Sequence, residues 1–188
     1  MTSTEKEVKG LSSDEKKERK NPNLRVLAES IVMVALATVL YFTRVFTFPE
    51  GGSVTLGSMT PLILLSLRRG ARVGVTAGVV YGMVILSLEP FIFSPIQVLL
   101  DYPIAFGALG LAGLWRAQPI AATGLGIFGR FLAHFVSGVV FFASFAPEGE
   151  SPALYSAVYN ASYLVPEFVI SAVIIYVLVK RGVLTAYL

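Results

Sequence analysis

Asp101, Arg130, His134 and Glu167 are ionisable residues set inside long apolar runs of a 188-residue chain. A charged group surrounded by hydrocarbon is costly, so each requires a partner or a function. Arg130 and His134 are four residues apart and share one face of a helix. The structural expectation for Arg130 is a salt bridge to Glu167 or Asp101 that pins helices together. Glu29 lies close enough to the start of its apolar run to snorkel and serve structurally. A lone His on an apolar helix is ordinarily a satisfied interior group, but the neighbours of His134 point to a ligand. Phe141 and Phe142 follow about two turns later on nearly the same face, and beyond a Pro- and Glu-containing loop come Tyr155, Tyr159, Asn160 and Tyr163. Phenol and amide tips on an apolar span suit the orientation of a flat heteroaromatic molecule. An interfacial aromatic belt explains Tyr and Phe but not Asn160. Asp101 and Tyr102 form a second cluster, in Gln97-Val-Leu-Leu-Asp-Tyr-Pro. A carboxylate there can neutralise a cationic ligand, while Pro103 frees backbone carbonyls.

The elements that must position these groups are membrane spans. Hydrophobic residues make up 55% of the chain and charged residues 14%, a balance that fits the bilayer as solvent. Counted against the ~20 apolar residues of a spanning helix, the runs give six candidates, roughly Val26 to Phe46, Val54 to Leu67, Val73 to Leu88, Pro95 to Trp115, Pro119 to Phe145 and Ala153 to Val179. Gly57 and Pro61 interrupt the second, which is expected to be a short or broken helix covered by protein. Arg25, Arg68, Arg69, Arg72, Arg116, Lys180 and Arg181 fall on one side of a six-span arrangement, and Glu50, Glu89, Glu148 and Glu150 on the other. Arg44 is the single basic residue near the acidic loops. The bias predicts an all-α integral membrane protein of six transmembrane helices with cytoplasmic N- and C-termini. Residues 1–23, polar and of mixed charge, are expected to form a disordered cytoplasmic tail, and residues 24–188 the membrane domain. The tail has neither the short apolar region nor the cleavage site of a signal peptide, so the first run is read as a retained span.

Other function classes are disfavoured. The net charge of +3 comes from basic residues at span ends, not from an aromatic-interleaved stripe, so nucleic acid is not an expected partner. The absence of Cys excludes disulfides, thiolate metal sites and a cysteine nucleophile. An intramembrane enzyme would use His134 with Asp101 or Glu167 as acid and base. No activated nucleophile or metal-ligand set accompanies the His, so the chain is not expected to be an enzyme, and no cofactor is expected.

At these residues the sequence resembles the thiamine-specific substrate-capture subunits, or S-components, of energy-coupling factor transporters. The likeness is carried by Ser53-Val-Thr-Leu-Gly-Ser-Met-Thr-Pro-Leu with Leu67-Arg-Arg-Gly, by Gln97-Val-Leu-Leu-Asp-Tyr, by Gly129-Arg-Phe-Leu-Ala-His-Phe-Val-Ser-Gly-Val-Val-Phe-Phe, and by Ala146-Pro-Glu-Gly with Ser151-Pro-Ala-Leu-Tyr-Ser and Asn160. It implies a prokaryotic multi-pass cell-membrane subunit that holds thiamine near the outer face. Such a subunit docks on a transmembrane coupling protein driven by two cytoplasmic ATPases. This chain has no phosphate-binding loop of its own, as befits an ATP-free subunit. By motif position, the resemblance puts the family's ligand-binding carboxylate at Asp101 and its neighbouring Tyr at Tyr102. It puts the His at His134, a stacking aromatic at Phe142, helix-six Tyr and Asn at Tyr155 and Asn160, and a further aromatic at Tyr81. The family's carboxylate is usually Glu, and Phe142 and Tyr81 stand where Trp is usual. The small-residue repeat of helix one survives only as Ala35, with Ile31 and Val39 beside it. The nearest alternative is an S-component for another vitamin or a thiamine precursor.

Overall fold

A computed structural model describes residues 21–49 and 51–184. The expected tail, residues 1–23, therefore lies outside the described residues except for its last three, and these already belong to the first helix and its cap. Asn21 caps α1 (Pro22–Tyr41), its side chain accepting from the Asn23 N–H at 3.1 Å, and Pro22 opens the helix with its φ preset.

The first apolar run does not continue as helix to Phe46. It stops at Tyr41, and β1 (Arg44–Thr47) pairs antiparallel with β2 (Ser53–Thr55). The all-α expectation thus omits one hairpin. Its cause is local: Val45, Phe46 and Thr47 favour extended backbone, and Pro49 with Gly51, at φ +89°, supplies the turn. Val54 and Thr55, expected in the second span, belong to this hairpin, and α2 (Thr60–Arg69) is only 10 residues long. At 1.5 Å per residue it reaches about 15 Å, half of a bilayer core of about 30 Å. It is the short helix that Gly57 and Pro61 foretell. Thr55, Ser58, Met59 and α2 from Thr60 through Arg68 are buried, so this irregular stretch is covered by the rest of the chain.

Among the described residues five helices are long and apolar enough to cross a membrane: α1, α3 (Ala71–Leu88), α4 (Pro95–Leu114), α5 (Pro119–Phe141) and α6 (Pro152–Lys180). The α4 helix is not uniform. A π-helical turn over Leu100–Ile104 contains Pro103, and the last turns, Leu109–Leu114, tighten to 3-10 geometry. Pro103 has no N–H to give the preceding turn, and a π-turn absorbs that loss. Gly74, Gly78 and Gly82, spaced by four on α3, let the two backbones touch. A Cβ on Gly78 would stand 2.3 Å from the Phe106 carbonyl oxygen, and one on Gly82 would stand 2.6 Å from that of Tyr102.

The two ends of the bundle differ in charge. At one end Glu29 pairs with Arg68 at 2.9 Å and Arg69 at 2.6 Å, while Arg116 donates to the Leu67 and Arg68 carbonyls, both at 2.7 Å. Glu29 is thus structural, as expected. The hairpin, the α3–α4 loop and the α5–α6 loop gather at the other end. If the α3–α4 contact is what seats the π-turn, Gly78→Val should cost about 1–3 kcal/mol, as for overpacked cores. Gly124→Ala should be silent, because its Cβ meets nothing nearer than Phe168 at 3.5 Å. Melting temperatures of the two detergent-purified variants test this.

Candidate ligand-binding site

Between the hairpin and helices α4, α5 and α6 lies a cavity of about 880 Å³, its open mouth included. Its floor is ionic. The π-turn brings Asp101 inward, where the carboxylate has three donors. Gln97 Nε2 reaches Oδ2 at 2.7 Å, Ser137 Oγ reaches Oδ2 at 2.9 Å, and His134 Nδ1 lies 2.9 Å from Oδ1. Gln97 is one helical turn before Asp101, and its own Oε1 accepts from the Phe93 N–H at 2.9 Å, so the donor is fixed in orientation.

Arg130 Nε donates to His134 Nε2 at 3.1 Å. A guanidinium can only donate, so Nε2 accepts and the imidazole proton sits on Nδ1, aimed at Asp101. The His134–Asp101 contact is therefore a charge-assisted hydrogen bond from a neutral ring. Among the described residues Arg130 forms no salt bridge with Asp101 or Glu167, contrary to expectation. Its guanidinium instead lies 4.2 Å from the centre of the Phe106 ring, and its charge reaches Asp101 through the imidazole. Glu167 is committed elsewhere. It is 0% exposed, and its Oε1 accepts from the Thr55 N–H and from Thr55 Oγ1 at 2.6 Å, which ties α6 to the hairpin.

The walls are aromatic. Phe142 lies 5.9 Å from Phe91 and 5.7 Å from Phe93 between ring centres, and Tyr155 stacks on Tyr159 at 6.2 Å. Tyr102 presents its ring to the cavity, while its hydroxyl donates to the Glu89 carbonyl at 2.9 Å and accepts from the Phe91 N–H at 2.8 Å. Asn160 accepts from the Tyr163 hydroxyl at 2.6 Å and donates to the Ser156 carbonyl at 2.9 Å. A side chain on Gly138 would collide with Ser156 Oγ at 2.1 Å, so glycine lets α5 and α6 close on each other at the cavity wall. Over the mouth the hairpin contributes Gly51, Gly52 and Ser53, and the Gly52 N–H donates to the Tyr159 hydroxyl at 3.0 Å.

Asp101, Tyr102, His134, Phe142, Tyr155 and Asn160 thus line one cavity. Tyr81 does not. It is buried behind the wall, edge-on to Phe106 at 4.7 Å, and supports the ring over which Arg130 sits. Sequence reading missed Gln97 and Ser137 as partners of Asp101, although each stands at helical spacing, one before Asp101 and the other after His134. It also missed Tyr41, Phe91, Phe106 and the hairpin residues.

A model of the family described as "Thiamine transporter protein" matches residues 27–185. The chain belongs to that family. The thiamine transporter ThiT of Bacillus subtilis is 36% identical over 168 residues, which cover 79% of this chain and 87% of that protein. ThiT of Lacticaseibacillus paracasei is 29% identical over 180 residues, 85% of this chain and 89% of its own. The solved structure of ThiT from Listeria monocytogenes superposes with a TM-score of 0.76 at 27% identity, covering 86% of this chain and 96% of that one. The family comprises transporters rather than enzymes, and with its apolar helices this chain is a multi-pass plasma-membrane protein of a prokaryote.

The donors around Asp101 make it a structural keystone as well as a charge. Asp101→Leu should leave the Ser137 hydroxyl and the His134 Nδ1–H without an acceptor, strip Gln97 Nε2 of one of its two, and destabilise the unliganded protein by about 3–5 kcal/mol. Asp101→Asn, which keeps the shape and an acceptor, should cost markedly less. Thermal unfolding of both variants without ligand is the check.

Proposed function

We propose that this chain captures thiamine at the outer face of the membrane as the S-component of an energy-coupling factor transporter. The observation that carries the reading is a single carboxylate, Asp101, held by Gln97, His134 and Ser137 at the floor of an aromatic cavity. That combination suits a flat ligand with a permanent positive charge, and thiazolium is one. Asp101 answers the charge. Phe142 and His134 face the rings, Tyr102 contributes a ring face, and Tyr155 and Asn160 offer polar atoms for the pyrimidine. Asp101 Oδ1 accepts from His134 alone among the described residues, so it keeps acceptor capacity toward the cavity. Tyr81 acts from behind the wall.

In this reading the short α2 with its buried approach counts as the second of six transmembrane helices. The basic end, with both termini, faces the cytoplasm, and the cavity opens outward. The residues before Asn21 are a tail, and the membrane domain runs from the cap of α1 to residue 188. Transport requires a transmembrane coupling subunit and two cytoplasmic ATPases, because the chain has no phosphate-binding loop.

Two measurements test this. Asp101→Asn should weaken thiamine by about 2–5 kcal/mol, as for truncated buried charge pairs, when titrated calorimetrically. An analogue with carbon in place of the thiazolium nitrogen should be nearly indifferent to the substitution; equal losses for both ligands would remove the counter-charge role. For topology, a single Cys at position 148 should react with an impermeant reagent added from outside, and one at position 69 only from the cytoplasmic side. The reverse pattern would invert the orientation.

A further inference from the structure

Arg44 departs from the charge pattern of its end of the molecule, and the structure gives it a partner. Its Nη2 pairs with a carboxylate oxygen of Glu89, the residue that ends α3. The guanidinium lies 4.5 Å from the centre of the Tyr41 ring, and the Tyr41 hydroxyl donates to the same Glu89 oxygen at 3.2 Å. The Glu89 backbone carbonyl in turn accepts from Tyr102. One ion pair therefore joins the end of α1, the first hairpin strand, the end of α3 and the π-turn of α4. Neither Arg44 nor Glu89 lines the cavity, yet Tyr41 and Tyr102, which they hold, do, and so do Gly51, Gly52 and Ser53 at the far end of the same hairpin.

We infer that the Arg44–Glu89 pair is a latch that fixes the exchange rate of the ligand by fastening the hairpin across the cavity mouth, without contributing to ligand contact. The inference rests on thiamine capture as proposed above. Both residues of the latch lie outside the cavity, so it opposes opening whether or not the cavity is filled. Breaking it should speed association and dissociation together and leave the ratio nearly unchanged. A residue that touches ligand behaves differently, because its loss speeds dissociation and shifts affinity. The side chains are 24% and 37% exposed, so the ion pair alone is weak, and the Tyr41 ring adds to it.

Two readouts separate this inference from the reading beneath it. The first needs no ligand. The chain has no native Cys, so Ser53→Cys gives one thiol at the cavity mouth. Its modification by a soluble maleimide should be about 3- to 10-fold faster in Arg44→Gln and in Glu89→Gln than in the parent. The exchanged pair, R44E with E89R, should recover at least half of that change. The second is a radiolabelled thiamine chase with equilibrium binding on the same variants without Ser53→Cys. Both rate constants should rise by a similar factor, with Kd altered less than about 2-fold.

Unchanged thiol reactivity in the single variants, or no recovery in the exchanged pair, would overturn the latch whatever the ligand proves to be. A raised dissociation rate with unchanged association would also overturn it, since that marks lost ligand contact. Failure of the parent protein to bind thiamine while the thiol results hold would instead sink the capture reading and leave the hairpin latch standing.

Discussion

A carboxylate inside a membrane bundle must be answered, and much of the site can be understood as the answer to Asp101. Gln97, Ser137 and His134 supply three hydrogen bonds from two helices, and Arg130 places a positive charge one imidazole away. Donors hold the charge in place, and the relayed cation lowers its cost without cancelling it through a direct ion pair. A site built this way keeps a negative focus for a ligand that brings its own positive charge. A direct Arg130–Asp101 salt bridge would have spent that focus inside the protein.

Two backbone devices put Asp101 where it is needed. Gly74, Gly78 and Gly82 let α3 lie directly on the α4 backbone, and the π-turn around Pro103 carries Asp101, whose carboxylate meets His134 and Ser137 of α5. The hairpin closes the opposite side. It is held at Gly52 by Tyr159, at Thr55 by Glu167 and at Arg44 by Glu89, so it has one anchor on α3 and two on α6. Glu167, one of the conspicuous charges of the sequence, thus works as a fastener of the covering segment and not as a ligand group.

The long helices were legible because an apolar run of ~20 residues matches the thickness of a bilayer core and exceeds what a soluble core helix buries on every side. The converging basic residues were legible from the spacing of charges between those runs. Six of the seven residues singled out for the site line one cavity: Asp101, His134 and Asn160 stand out as polar groups in apolar runs, and motif position marks them together with Tyr102, Phe142 and Tyr155. What escaped had physical causes. The hairpin is apolar, so Val45, Phe46 and Val54 read as extensions of spans, and only Pro49, Gly51 and Gly52 mark the turn. Tyr81 and Phe106 are both buried aromatics, and no pattern tells which of two rings in edge-to-face contact faces the cavity. The four-residue spacing of Gly74, Gly78 and Gly82 was visible but is informative only once a partner helix is known. Arg130 shows the limit of charge counting: rarity demands a partner, but the partner was a neutral imidazole and an aromatic face.

In the proposed site the Asp101 carboxylate is the counter-charge of a thiazolium ring held between α4, α5 and α6. A structure of the wild-type protein with thiamine bound tests it most directly. The thiazolium ring should lie in the aromatic cavity with its positive end against Asp101, the Asp101–His134–Arg130 chain intact and the hairpin over the ligand. Thiamine bound outside this cavity, or turned so that the thiazolium sits against Arg130 and away from Asp101, would contradict it.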